Sequence, residues 1–204
     1  MNLSNITETV FQSIPHAIMP TEQDTKLLKK HKKLLLSYGS ALAKGFYDVV
    51  YGDENLQKTL SPDARKQREQ SLHEWYQISI TCDFDQHYWN WQVFVGVVHV
   101  KHNVSNSSVL AMWAWIITTM QQNLLRDLET SEALKVLSVF QKLQAVVTSL
   151  VVEGYISTQK EGIHLASGLN NNILTRLIGV EIDQLIMQGR EELMVSSPQE
   201  QKVA

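Results

Sequence analysis

The distribution of proline is the feature that most constrains the fold of this 204-residue chain. Only four prolines occur, and none lies between residues 63 and 195. Because proline breaks the interior of a helix, so long a stretch without it permits long helices. Apart from one short segment, no part of the chain shows the alternation of apolar and polar residues that a half-buried strand requires. The sequence therefore predicts an all-α fold.

The composition is that of a globular protein, with 44% hydrophobic and 19% charged residues. The net charge of −3 argues against a nucleic-acid partner, which would require a basic stripe. Cys82 is the single cysteine, so no internal disulfide can form, as in a reducing compartment. No apolar run reaches the roughly 18 residues of a membrane span, and residues 1–10 lack the layout of a signal peptide. We expect a cytoplasmic protein with no membrane span.

Start and stop signals divide the first half of the chain into helices. Thr21 followed by Asp24 is typical of a capping box and predicts a helix start. Gly39 is predicted to interrupt this helix, and a second helix is predicted to end near Gly52. Residues 61–63 (Ser-Pro-Asp) predict the start of a third helix, which extends to about residue 80.

The segment 86–101 is ambiguous between strand and helix. Residues 93–98 are rich in β-branched side chains, which favours a strand. Such a strand would have no partner elsewhere in the chain. In addition, Tyr88, Val95 and His99 fall on one stripe of a helix. We therefore predict a helix over 86–101.

Two long helices and a final shorter one are predicted in the second half. The first long helix carries the apolar residues Val109, Met112, Trp113, Ile116, Met120 and Leu124. The second begins at Ser131 and carries Leu134, Leu137, Phe140, Val147 and Val151. Residues 162–172 break the pattern, a last helix covers 173–187, and the tail 195–204 is predicted to be disordered.

Three polar residues lie on otherwise apolar helix faces. His99 could bind a metal through one ring nitrogen, or it could be a core histidine satisfied by hydrogen bonds. The Tyr47 hydroxyl requires a partner if buried, unless it reaches the surface. Ser71 shares a stripe with Trp75 and could bond only to its own backbone.

Taken in order, these features resemble the globin-coupled sensors and protoglobins. The resemblance rests on the Phe-Tyr pair at 46–47, the proline-opened helix, the run Asp-Phe-Asp-Gln-His-Tyr at 83–88 and the apolar run that leads to His99. It covers roughly residues 25–155 as judged by pattern. It implies a globin-like helical fold with extra N-terminal and C-terminal helices. The implied division is an N-terminal extension at 1–20, a sensor-globin domain at 21–165, and a C-terminal helix and tail at 166–204.

The resemblance also implies a haem b site. His99 would be the iron ligand, and Tyr47 would lie on the side that binds a diatomic gas (O₂, CO or NO). Ser71 falls near the position of a small hydroxyl residue on that side. The expected pocket walls are Phe46, Trp75, Val95 and Val98. His102 and His73 are the competing histidines, and His99 is preferred because Val95 and Tyr88 share its stripe.

The function implied is that of a gas or redox sensor in signal transduction, and not of an enzyme. The two long helices of the second half would form a homodimer, with Trp113, Ile117, Val139 and Val146 as candidates for the interface, and a signalling partner would receive the output. The alternatives are a haem-free globin-fold interaction module and a haem enzyme. The family usually has a Gly-Leu turn, proline and a Trp-Tyr pair after the histidine. This chain departs from that pattern at residues 103–109, so pocket contacts from this region are not carried over.

Overall fold

The computed structural model describes residues 1–57, 61–168 and 171–195, and all regular structure within these ranges is helical. The prediction of an all-α, globin-like fold is confirmed. The chain separates into two compact units, Met1–Thr158 and a second that begins at Gln159. The α-helices of the described ranges are α1 (Leu3–Ser13), α2 (Glu22–Lys30), α3 (Lys32–Gly52), α4 (Glu54–Gln57), α5 (Arg65–Thr81), α6 (Gln86–Lys101), α7 (Asn106–Asp127), α8 (Thr130–Ser167) and α9 (Asn171–Val195).

The start of α2 is the predicted capping box. The backbone N–H of Thr21 donates to Oδ2 of Asp24 over 2.7 Å, and the backbone N–H of Asp24 donates to Oγ1 of Thr21 over 3.3 Å. The predicted break at Gly39 is wrong, because the chain breaks at His31 and α3 then continues without interruption. Gly39 serves a different purpose: a Cβ there would lie 2.9 Å from the ring of His73 on α5. The glycine allows α3 and α5 to approach closely.

The helix predicted over 86–101 is confirmed as α6. Oδ1 of Asp85 accepts a hydrogen bond of 2.8 Å from the backbone N–H of Tyr88 and caps its first turn. At its other end, Asn103 adopts a left-handed conformation (φ 51°), and the N–H of Val104 donates to the carbonyl of His99 over 3.0 Å. The helix that carries His99 is thus closed at both ends by hydrogen bonds.

The core is built largely from α7 and α8. All six apolar residues predicted for α7 are buried, which confirms the periodicity that identified them. In α8 two predictions are wrong: Leu134 is exposed, and the helix continues through Gly162 to Ser167. By length and composition α8 would pass as a membrane-crossing helix, with a window of mean hydropathy 1.4, but 56% of that window is buried inside the protein. Such burial is typical of a core helix, so α8 is weak evidence for a membrane span.

The N-terminal segment contributes a helix that packs against α6. Thr7 and Val10 of α1 are buried, and the ring of Phe11 meets that of Trp89 edge-on with centroids 5.8 Å apart. The hydroxyl of Thr7 donates to Oδ1 of Asn90 over 2.8 Å. One face of α6 is therefore covered by α1.

The C-terminal unit contains α9, which runs from Asn171 to Val195 and is longer than the predicted 173–187. Many of its apolar side chains are exposed, among them Leu177, Ile178, Val180, Leu185 and Leu193. The predicted disordered tail lies outside the described residues beyond Val195.

The residues proposed for a dimer surface are instead part of the protein's own core. Trp113, Val139 and Val146 are 6%, 1% and 0% exposed. Ile117 is half-buried and packs against the same core. The apolar residues of α7 and α8 are thus largely covered within one chain. The homodimer stays a prediction, and no surface is assigned to it.

Candidate functional site

His99 lies in the last turn of α6 with its ring largely enclosed. Its Nδ1 is buried and has no hydrogen-bond partner among the described residues. Burial first, and then the nearby charges of His102 and Arg68, lower the pKa of His99 to about 4. The imidazole is therefore neutral at physiological pH, which is the form that binds a metal ion. The core-histidine alternative required hydrogen bonds, and this ring makes none within the described chain.

Tyr47 lies on α3 and is half-buried. Its ring packs between those of Phe46 and Tyr51, with centroids 5.1 Å and 6.1 Å away. Burial raises the pKa of Tyr47 to about 12, while the positive charge of Arg68 opposes the rise. Its hydroxyl has no hydrogen-bond partner among the described residues, so a protonated phenol donor is available at neutral pH.

Arg68 on α5 lies near both of these residues, and it was not among the site residues predicted from the sequence. Its charge acts on both Tyr47 and His99, which places it near side chains of α3 and α6. Its Nε is enclosed and has no hydrogen-bond partner. One signal in the sequence could have revealed it: Arg68 falls on the same inward stripe of α5 as Trp75 and Ser79, at spacings of seven and eleven residues.

Apolar side chains line the region around these polar groups. Phe46 is half-buried and meets Trp115 of α7 edge-on, with ring centroids 6.0 Å apart. Val95 and Val98 on α6 are also half-buried. Large apolar side chains that are neither enclosed in the core nor free in solvent are suited to the walls of an open apolar cleft.

Trp75, a fourth predicted wall residue, is held in place by a buried polar contact. Its indole Nε1 donates to Oε1 of Gln92 over 2.9 Å, and its ring meets Trp113 edge-on at 5.4 Å. Gln92 is completely buried, and its amide donates a longer bond of 3.4 Å to the carbonyl of Tyr88. This contact joins α5 to α6, and no local pattern in the sequence indicates it.

Ser71 and the competing histidines occupy other positions. Ser71 is exposed and its hydroxyl donates to the carbonyl of Gln67 over 3.0 Å, so it does not hold the phenol of Tyr47. Its role near a bound ligand stays a prediction. Nδ1 of His73 is also enclosed without a partner among the described residues, but this nitrogen lies against Gly39 of α3, which leaves no room for an ion. His102 is exposed at the end of α6. His99 is therefore the best placed of the three for a metal ion.

The metal-binding side chains in this region favour an ion that needs only one ligand from the protein. Within the ranges that the structure describes, no three His, Cys, Asp or Glu side chains cluster as a zinc site would require. Haem iron needs only a single histidine from the protein, because the porphyrin supplies its four nitrogen ligands. The neutral, unpartnered His99, the free phenol of Tyr47 and the half-buried apolar side chains around them fit a haem.

Comparison with known families agrees with this geometry. The fold is all-α and globin-like, with His99 and Tyr47 on separate helices. The Protoglobin family model matches residues 9–161, and the chain belongs to this family. No curated protein matches the sequence closely enough to be significant.

Proposed function

We propose that this protein binds haem b through His99, and that the complex binds a diatomic gas reversibly as a sensor. The observation that carries the proposal is the enclosed imidazole of His99, whose Nδ1 has no partner and whose pKa is lowered to about 4 by burial. An unpaired polar atom in a protein interior is costly, so a structure retains one where something else satisfies the ring. Membership of the Protoglobin family supports the same proposal.

His99 would hold the haem, whose iron would supply the binding of O₂, CO or NO. The protein's own residues then determine which gas is retained. The Tyr47 phenol, protonated because burial raises its pKa to about 12, would donate a hydrogen bond to a polar diatomic ligand. Phe46, Val95 and Val98 would exclude water from the cleft, which strengthens such a bond.

We propose binding and signalling, not turnover, in the cytoplasm. A phenol with a pKa of about 12 is a steady donor, but it does not exchange protons readily near neutral pH as a general acid–base catalyst does. The unpaired Cys82 is compatible with a reducing compartment. A signalling partner or a second copy of the chain would respond to the change in ligand binding.

The test is an absorption spectrum of the purified protein after addition of haem, compared with two variants. The unchanged protein should develop a Soret band at about 400 nm, and this band should shift on reduction and on addition of CO. His99→Ala should lose the CO-sensitive spectrum, and added imidazole should partly restore it. His102→Ala is the matched control, since His102 is exposed three residues away, and it should behave as the unchanged protein.

Two outcomes would contradict the proposal. A complete absence of the Soret band from the unchanged protein would favour the alternative of a haem-free globin-fold module. Loss of the band in His102→Ala but not in His99→Ala would show that His102, and not His99, is the iron ligand.

A further inference from the structure

Among the described residues, Arg68 has no partner for its guanidinium. Its Nε is enclosed without a hydrogen bond, and no described carboxylate is paired with it. An enclosed donor without an acceptor is unfavourable. The neighbouring arginine of α5 is different: Nε of Arg65 donates to Glu69 over 2.7 Å, and its Nη2 donates to Asp48.

Two carboxylates in this part of the fold, those of Glu69 and Asp48, are already paired with other cations. Glu69 is near enough to act on Tyr47, but its carboxylate is bound to Arg65. Asp48 is bound to both Arg65 and Lys44. Neither carboxylate is therefore free to pair with Arg68.

The position of Arg68 associates this charge with the haem-binding region. Its charge acts to lower the pKa of both Tyr47 and His99, so Arg68 lies near side chains of α3 and of α6. On α5 it shares a stripe with Trp75, which packs inward against Gln92. A half-buried guanidinium near both of these residues offers a planar fork of donors, which suits an anion.

We propose that Arg68 is an anion-binding residue of this site, which pairs with a carboxylate or a small anionic ligand beside the iron. The inference rests on the proposed haem binding and goes beyond it by assigning the site a preference for charge. The anion has two possible sources. It is a carboxylate of the haem itself, or it is a free anion that binds at the open axial position.

The first arm of the test measures free anions in the ferric haem protein. Azide and the neutral ligand imidazole are titrated into the unchanged protein, Arg68→Gln and Lys66→Gln, and the shift of the Soret band gives each Kd. If Arg68 pairs with a free anion, Arg68→Gln should weaken azide binding about tenfold and leave imidazole binding unchanged. Lys66 is exposed two residues away, so its variant controls for the loss of one positive charge.

The second arm measures retention of the haem. Haem and its dimethyl ester, which lacks the free carboxylates, are loaded separately, and transfer to excess apomyoglobin is followed by absorbance. If Arg68 pairs with a haem carboxylate, Arg68→Gln should lose haem about tenfold faster than the unchanged protein. The dimethyl ester should leave both proteins at the same rate.

A third measurement uses the haem-free protein and needs no spectrum. Replacing a guanidinium that has no partner among the described residues by Gln should raise or preserve the midpoint of thermal unfolding. A marked fall in the midpoint for Arg68→Gln, beyond that of Lys66→Gln, would identify Arg68 as a structural residue and overturn the inference.

The outcomes separate this inference from the function on which it rests. A Soret band in all three proteins, with equal azide affinity and equal haem loss, overturns the role of Arg68 alone. Absence of the band from all three overturns haem binding, and the anion site of Arg68 is overturned with it. A selective loss of azide affinity or of haem retention in Arg68→Gln supports the inference and identifies the source of the anion.

Discussion

Gly96 on α6 packs directly against the backbone of Val151 on α8. A Cβ at Gly96 would lie 2.1 Å from the carbonyl oxygen of Val151, and a Cβ at Gly154 would lie 2.3 Å from the carbonyl oxygen of Val93. Two glycines, one on each helix, thus allow backbone-to-backbone contact. Because Gly96 precedes His99 by less than one turn, this contact also determines where α6 presents its histidine.

Gly96→Ala should therefore destabilise the protein by about 3 kcal/mol or more, since the added methyl group has backbone on every side and no flexible neighbour to displace. The measurement is the free energy of unfolding in urea. Gly162→Ala is the control: no atom lies within 4 Å of a Cβ there, and the site is helical, so alanine should stabilise the protein by up to about 1 kcal/mol. Equal effects in the two variants would contradict the close crossing.

Tyr47→Phe should release O₂ roughly tenfold faster from the reduced haem protein and change CO release much less. The reason is that O₂ carries more negative charge when bound than CO and loses more when the phenol donor is removed. Stopped-flow displacement of each gas gives the two rates. Thr81→Ala, at the other end of α5, is the comparison: the Thr81 hydroxyl is bonded to the carbonyl of Gln77, so this variant should leave both rates nearly unchanged. Equal acceleration of O₂ and CO in Tyr47→Phe would argue against a hydrogen bond.

The parts of the fold that follow from local patterns were predictable from the sequence. The cap at Asp85 and the inward spacing of α7 are local features, so the bounds of α6 and the six buried residues of α7 were predicted correctly. Glycine shows the limit of such patterns. Gly39 and Gly162 were both predicted to break helices, yet one contacts His73 and the other faces open space. Local sequence does not reveal which partner a helix will approach.

Only those site residues that stand out individually in the sequence could be predicted. His99 and Tyr47 stood out because each is polar on an apolar helix face. Arg68 was missed because its importance depends on three helices meeting, with Glu69 taken by Arg65. The proposed dimer residues on α7 and α8 were misassigned for a similar reason. An apolar face looks the same in sequence whether the same chain or another covers it.

The stability of the haem-free protein should fall as the pH is lowered from about 6.5 to about 4. The folded state holds His99 neutral with a pKa of about 4, whereas an unfolded histidine titrates near 6.5, so the unfolded state binds the additional proton in this range. The loss is about 2 kcal/mol near pH 4.5. His99→Gln should remove this slope. Asp127 and Glu132 have pKa values lowered to about 2, by hydrogen bonds first from Arg126 and from Lys30, and contribute only below about pH 4.5. A slope that persists between pH 6.5 and 5 in His99→Gln would assign it to another group.

The contact between Trp75 and Gln92 should be worth about 1 kcal/mol of coupling, measurable by a double-mutant cycle. Gln92→Leu leaves the indole N–H of Trp75 without its acceptor in a half-buried place, so it should cost about 1–3 kcal/mol of unfolding free energy. Trp75→Phe alone leaves the fully buried amide of Gln92 short of a donor and should cost a similar amount or more. The two changes together should cost less than their sum, because neither group then lacks a partner. Strict additivity would show that the 2.9 Å bond contributes nothing to holding α5 against α6.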